Sequence, residues 1–277
     1  MATRGLLIAA QQPLEVEITA HRGAGRVAPE NTLAAFRAAI EQGADRIEID
    51  VLGGADGSLF IFHDPDLRRM RGDPRRVATM TIEEMRVLDV GAWFGRGFEG
   101  EGVPTLDEVF DLTAGSMPLN IEIKTGAADE GVAEALVKVI RARGAAGGLG
   151  EDPPPASAVI TSLSASMLEA VRRIDTTIPL GFIVSASVGD LRRLDVDFVS
   201  IESNLATSDF LARATDAGLD VHVWSVSDPE LFTRLVLRGI DGAITDDVVA
   251  LRTRLAELQK LDELERLLLG VRMRMTE

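Results

Sequence analysis

Residues 47 to 51 read Ile-Glu-Ile-Asp-Val, and the device returns at 119 to 124 as Leu-Asn-Ile-Glu-Ile-Lys. Side chains two apart in a strand point the same way, so Glu48 and Asp50 share one face while Ile47, Ile49 and Val51 share the other. In the second stretch Asn120, Glu122 and Lys124 share a face, with Ile121 and Ile123 opposite. Ionised acids buried among apolar neighbours cost several kcal/mol unless a cation or good hydrogen bonds compensate, and a bound metal is the simplest compensation for Glu48 and Asp50. After the first stretch, Gly53 to Gly57 turns the chain back into Ser58 to Phe62. That turn is too short for a crossover helix, so the two strands pair as an antiparallel hairpin, which should bring His63 beside Ile47 and Glu48. A titratable imidazole next to two acids marks a candidate active site.

The rest of the chain alternates strand and helix. Leu14 to Ala20 reads as a strand ending in His21-Arg22-Gly23. Pro29-Glu30-Asn31-Thr32 opens a helix, with Asn31 or Thr32 as N-cap and Gly43 as its stop. Helical patterns follow at Pro104 to Leu112 and Glu130 to Arg143. Short buried strands are expected at Ala158 to Thr161, Leu180 to Val184, Phe198 to Ile201, Val221 to Val226 and Ala243 to Thr245, each but the last followed by a helix. Such alternation argues a mainly parallel α/β architecture with its polar residues at strand ends, as on the rim of a barrel. The glycine- and proline-rich stretch 144–157 is read as a long loop within one domain, and Leu251 to Leu269 as one leucine-rich helix packed on the barrel, or else a dimer contact.

Composition removes several functions. A formal net charge of −15 disfavours nucleic acid and anionic membranes, which need broad positive surface. Without cysteine there is neither a disulfide nor a thiolate metal site. The apolar run at the N-terminus, Leu6 to Ala10, is shorter than a signal core, and no stretch approaches a membrane span, so the expected location is the cytoplasm.

An ordered set of motifs resembles the glycerophosphodiester phosphodiesterases: HRG followed by PENT (His21 to Thr32), GADRIEIDV (Gly43 to Val51), DG with HD (Asp56-Gly57 and His63-Asp64), GAWFGRGFEGEGVPTLDEV (Gly91 to Val109), NIEIK (Asn120 to Lys124), and VWSV with DGAITD (Val223 to Val226 and Asp241 to Asp246). The resemblance implies a distorted TIM (β/α)8-type barrel over residues 1–277, with 66–103 as an insertion near the mouth and 248–277 as a helical extension. It also implies hydrolysis of glycerophosphodiesters to sn-glycerol 3-phosphate and an alcohol, assisted by Mg²⁺ or Ca²⁺. Within it, His21 and His63 match catalytic histidines, Glu48, Asp50 and Glu122 match metal ligands, Arg22 and Lys124 match phosphate-holding groups, and Trp224 matches an aromatic lining the site. Leu52-Gly53-Gly54, His222 and the long C-terminal helix depart from the usual pattern.

Those residue types suit the chemistry. A phosphodiester resists attack because its anionic oxygens repel nucleophiles and its leaving alkoxide is poor, so a catalyst neutralises charge, takes a proton from the nucleophile and gives one to the leaving oxygen. Three carboxylates form a hard oxygen site for Mg²⁺ or Ca²⁺, Arg22 and Lys124 add local positive charge, and two histidines divide the proton transfers. The basic run Arg68, Arg69, Arg71, Arg75 and Arg76 reads as a solvated loop that could steer anions. Two alternatives remain: a lysophospholipase D, with an apolar lane from Met70, Trp93, Phe94 and Phe98, and a non-catalytic barrel that binds a metal or phosphodiester.

Overall fold

The computed structural model describes residues 14–113, 117–124, 130–144, 157–185 and 189–274. Among these residues, eight parallel strands close into a barrel: β1 (Glu17–Ala20), β2 (Arg46–Gly53), β4 (Leu119–Ile123), β5 (Ala158–Ser162), β6 (Leu180–Val184), β7 (Phe198–Glu202), β8 (Asp220–Trp224) and β9 (Gly242–Thr245). Pairing of β1 with both β2 and β9 completes the ring. The short β3 (Leu59–Ile61) lies antiparallel on β2, as the hairpin reading requires, with Val51 opposite Ile61 and Gly53 opposite Leu59. This register corrects the expected place of His63. The Phe62 amide donates to the Asp50 carbonyl, so His63 meets the strand near Asp50 rather than beside Ile47 and Glu48.

Ten helices are described: α1 (Leu33–Glu41), α2 (Arg68–Arg71), α3 (Ile82–Arg86), α4 (Leu106–Thr113), α5 (Glu130–Ala142), α6 (Ala165–Ile174), α7 (Ser208–Ala217), α8 (Pro229–Arg238), α9 (Val248–Gln259) and α10 (Glu263–Arg274). Thr32 is the N-cap of α1, its hydroxyl accepting from the Ala35 amide at 3.2 Å, which frees Asn31 for another task. Two helix expectations need correction. Between β6 and β7 the described residues hold only the 3-10 turn Leu191–Arg193, capped by Asp190, because the chain from 184 to 198 is too short for a helix with two loops. The C-terminal helix is two helices: Asp262 and Glu265 exchange side-chain and backbone hydrogen bonds in a capping box that starts α10 afresh. Leu251, Leu255 and Leu258 of α9 are buried on the barrel, as expected, whereas Leu264, Leu268 and Val271 of α10 face outward. Most of the loop read at 144–157 lies outside the described residues. No described helix is long and apolar enough to cross a membrane.

Residues 66–103 build a small layer over the hairpin with a core of its own, in which Leu67, Val77, Met80, Met85 and Leu88 pack with Leu52, Phe60 and Phe62. Met70 packs against this core, which removes it from the apolar lane suggested by sequence.

The N-terminal end of the barrel is plugged by polar and aromatic side chains. A Cβ on Gly181 would collide with the Phe198 ring, and one on Gly242 would stand 2.7 Å from the His222 ring. The two glycines therefore leave room for Phe198 and His222, whose ring centroids lie 4.9 Å apart. Beside them Arg46 Nε donates to Glu17 Oε1 at 2.9 Å. Burial opposes the Glu17 charge, but Arg46 outweighs it and holds the carboxyl at about 2. His222 Nδ1 lies 3.8 Å from the same carboxylate, so this histidine serves the plug, two residues before Trp224 on β8. Glu17→Ala should cost about 3 to 5 kcal/mol, because Arg46 is left buried without its acid. The fall should appear as a lower urea midpoint at unchanged m. The depressed pKa means that this contribution is present above about pH 4.5 and fades as pH falls toward 2; an unaltered midpoint in the variant would show that Arg46 is solvated.

Candidate active site

The C-terminal ends of β1, β2 and β4 bring the predicted residues together. In the parallel register Asp50 pairs with Glu122 and Glu48 with Asn120, so the acids of two strands form one cluster. One ligand atom from each of Glu48, Asp50 and Glu122 lies within 4.8 Å of the others. All three are buried or nearly so. Glu48 and Glu122 rim a cleft of about 290 Å³ that is also lined by His21, Arg22, His63, Lys124 and Trp224. Its opposite wall, from β5 to β9, carries Thr161, Leu163, Ile183, Ser200 and Ile244.

Two cations stand against the acids. Arg22 Nε lies 3.0 Å from Asp50 Oδ2, and its backbone amide donates to Glu48 Oε2 at 2.9 Å. Lys124 Nζ donates to Glu122 Oε1 at 2.8 Å and lies 3.0 Å from Asp50 Oδ1. Asn31, at φ 55°, donates to Asp50 Oδ2 at 2.7 Å. Burial opposes the Asp50 charge, but Lys124 and Arg22 outweigh it and its pKa is lowered. They do not suffice for all three acids. Burial and then the Asp50 charge push Glu48 up to about 7, and the same causes raise Glu122. Asp50 Oδ1 is buried and accepts no aligned hydrogen bond. Three hard oxygen donors and an excess of negative charge fit a divalent cation of the Mg²⁺ or Ca²⁺ type.

Each histidine has its own aspartate. His21 Nδ1 lies 2.9 Å from Asp246 Oδ1 and His63 Nδ1 lies 2.7 Å from Asp64 Oδ1. Both aspartates are held below the usual carboxylate range, Asp246 by its bond to His21 and Asp64 by Arg69 and His63 against the opposing effect of burial. An ionised carboxylate only accepts, so each Nδ1 carries a proton and each Nε2 is left for chemistry. The two rings differ in basicity. Burial disfavours the His21 cation, yet the bond to Asp246 and the Glu48 charge raise its pKa. For His63 burial wins over the Asp50 charge, and its pKa is lowered.

Trp224 Nε1 is buried without a hydrogen-bond partner, a free donor in the cleft wall. Trp93 from the insertion lines an adjoining recess with His21, Arg22 and Asp246, packed edge-to-face on Phe94, which packs likewise on Phe98. Sequence reasoning did not single out Asn31, Asp64 or Asp246 as site residues, although all three stand inside the motifs it quoted. The basic run is exposed, as expected, and much of its charge is paired at the surface: Arg68, Arg69 and Arg75 pair with Asp66, Asp64 and Asp73, and Arg71 donates to the Asp89 carbonyl.

The chain is similar in sequence and fold to known proteins of one family. The model of the glycerophosphoryl diester phosphodiesterase family matches residues 21–250. A glycerophosphodiester phosphodiesterase of Caldanaerobacter subterraneus subsp. tengcongensis is 31% identical over 236 residues, covering 83% of this chain and 93% of the relative. Among solved structures, an Oleispira antarctica phosphodiesterase in complex with its product sn-glycerol-3-phosphate superposes with a TM-score of 0.79 at 28% identity, covering 87% of this chain and 96% of that one. The Agrobacterium tumefaciens glycerophosphodiester phosphodiesterase superposes at 0.72 with 27% identity, covering 87% and 99%.

Proposed function

The chain belongs to the glycerophosphoryl diester phosphodiesterase family, and from that premise we propose that it cleaves glycerophosphodiesters to sn-glycerol 3-phosphate and an alcohol, with a divalent metal, Mg²⁺ or Ca²⁺, held by Glu48, Asp50 and Glu122. The observation that carries this reading is the meeting, in one cleft, of a three-carboxylate cluster with two aspartate-bound histidines. The relatives named above, one of them solved with the product, support the substrate class. Residues 1–277 act in this reading as one catalytic barrel, with the insertion at its mouth.

The metal, when bound, supplies Lewis-acid neutralisation of the phosphate charge. Arg22 and Lys124 hold the phosphate oxygens from the adjoining strands, Arg as a fork and Lys as a point charge. Trp224 Nε1 donates to a substrate oxygen, satisfying an otherwise orphaned buried group. His63, kept neutral by its lowered pKa, takes the proton of the attacking group at Nε2, either the glycerol 2-hydroxyl or a water. His21, whose cation is favoured by Asp246 and Glu48, gives a proton to the leaving alcohol oxygen. If a cyclic phosphate forms, the two exchange roles to open it.

The test is release of glycerol 3-phosphate from glycerophosphocholine, glycerophosphoethanolamine and glycerophosphoinositol, and of lysophosphatidic acid from lysophosphatidylcholine, after chelation and with Mg²⁺, Ca²⁺ or Mn²⁺ restored. Metal-restored release from the short diesters is expected. Release confined to the lysolipid would move the function to a lysophospholipase D using the Trp93 recess, and no release from folded protein would remove the reading.

A homodimer through α10 is a further part of the proposal. Leu264, Leu268 and Val271 lie along its outer face at i, i+4 and i+7, 63%, 59% and 45% exposed. Acids open the helix at Glu263 and Glu265, and arginines close it at Arg272 and Arg274. In an antiparallel pair centred between residues 268 and 269, Glu265 of each copy faces Arg272 of the other, whereas a parallel pair sets Glu265 against Glu265. The acidic flank disfavours an anionic membrane as the occupant. By sedimentation, Glu265→Arg and Arg272→Glu should each weaken the dimer and the double exchange should restore it. A monomer at all concentrations, or failure of the exchange to restore pairing, would remove this interface.

A further inference from the structure

Arg69, on the short helix α2 of the insertion, joins the two halves of the site. Its Nε donates to Asp64 Oδ2 at 2.6 Å, while Nη1 and Nη2 donate to Glu30 Oε2 and Oε1 at 3.0 and 2.7 Å. Glu30 in turn accepts from Arg22 Nη1 at 2.9 Å. Asp64 holds His63, and Arg22 stands against Asp50. A chain of alternating charge therefore runs from His63 through Asp64, Arg69, Glu30 and Arg22 to Asp50. The Asp64 and Glu30 side chains are 16% and 17% exposed, so both carboxylates spend most of their surface on these contacts.

Resting on the reading in which His63 is the base and Arg22 holds phosphate, we propose that Arg69 is a positioning residue that fixes the His63 ring and the Arg22 guanidinium in register with each other. Three features carry the inference. Arg69 is the one described side chain in contact with both Asp64 and Glu30, and its planar fork spans two carboxylates from different segments, which a lysine ammonium does with poorer geometry. It is placed by the insertion's own core, since Leu67, which precedes α2, is fully buried there and accepts from the Arg71 amide. It is also 45% exposed, so its removal leaves an opening to solvent rather than a hole in the barrel core. The insertion is thereby part of the catalytic frame and not merely a wall of the mouth.

The experiment compares Arg69→Met, Arg69→Lys, Arg69→Ala, Asp64→Asn and the double variant Arg69→Met/Asp64→Asn on glycerophosphocholine at saturating metal. The wild type must first turn over and His63→Ala must lower turnover by at least about 10²; failure at that point strikes the proposed function and not Arg69. Given an active wild type, Arg69→Met should lower kcat by about 10- to 100-fold, the scale of removing a group that orients a site residue. Arg69→Lys should recover part of the loss. The double variant should lose far less than the product of the two single losses, because both act through His63. Millimolar guanidinium should restore part of the kcat of Arg69→Ala, which a general loosening of the insertion would not allow. Unchanged kcat in Arg69→Met, or fully multiplicative losses with no guanidinium rescue, would overturn the proposal; circular dichroism and thermal melting verify that each variant is folded.

Discussion

His63→Ala is expected to lower kcat by about 10² to 10⁴ on every glycerophosphodiester, whatever its leaving group, whereas the loss in His21→Ala should depend on the leaving group. The asymmetry follows from the two environments. Burial keeps His63 neutral and Asp64 fixes its Nδ1 proton, so it is ready to accept a proton at Nε2. Asp246 and Glu48 overcome burial to favour the His21 cation, which is ready to donate. With choline or ethanolamine as leaving alcohol, both variants should be crippled. With glycerophosphoryl p-nitrophenol, whose phenolate departs without a proton, His21→Ala should recover most of its activity and His63→Ala should not. The reverse pattern of rescue would exchange the two roles. In the wild type, kcat/KM should rise with pH as His63 loses its proton, below the ordinary imidazole value of 6.5, and fall above it as His21 loses its own. Asp246→Asn removes the main group raising the His21 pKa and should move the alkaline limb to lower pH.

The second large effect is at Glu48. Glu48→Gln should reduce metal-dependent turnover by about 10³, the equivalent of several kcal/mol of lost charge neutralisation. The same change should make the chelated protein more stable. Glu48 is fully ionised in the folded protein only above about 7, against 4.5 for an ordinary glutamate, because it is buried beside Asp50. A raised carboxyl pKa contributes stability that is present below pH 4.5 and is lost as pH rises through about 7. With chelator, the wild-type melting temperature should therefore fall between pH 5 and pH 8, and Glu48→Gln should escape much of that fall, a difference of roughly 2 to 4 °C per kcal/mol for a chain of this size. Saturating metal should raise the wild-type melting temperature at pH 8, by about 2.7 kcal/mol of stability at a hundredfold excess over Kd, and leave the variant nearly unmoved. Equal metal stabilisation of both proteins would take Glu48 out of the ligand set.

Much of the site was legible because strand periodicity is local. The alternation in Ile47 to Val51 and in Leu119 to Lys124 is enough to put Glu48 with Asp50 and Glu122 with Lys124, and the short glycine turn is enough to demand the hairpin. The ordered motifs carried the histidines, Arg22 and Trp224. Other features had local signals that went unread. The Asp262 to Glu265 capping box divides the last helix, and the short span from Val184 to Phe198 leaves no room for the helix assigned there. The exact partner of His63 across the hairpin depended on a turn one residue later than Gly53 to Gly57 suggests, since the Gly54 amide donates to the Ser58 carbonyl.

Long-range partnership is a different matter. His21 and Asp246 are 225 residues apart, and only the pairing of β1 with β9 sets one beside the other. Asp50 and Glu122 become a single cluster through the β2–β4 register, which no periodicity within either strand determines. Glu30 and Arg69 meet across 39 residues because the core of the insertion folds α2 back over the mouth. The sequence by itself determined which side chains are polar on an apolar strand, and hence that buried charge had to be compensated. Strand pairing in the barrel and the packing of the insertion decided which distant charges compensate one another, because a strand's pattern sets the direction of its side chains while the ring of paired strands sets their neighbours.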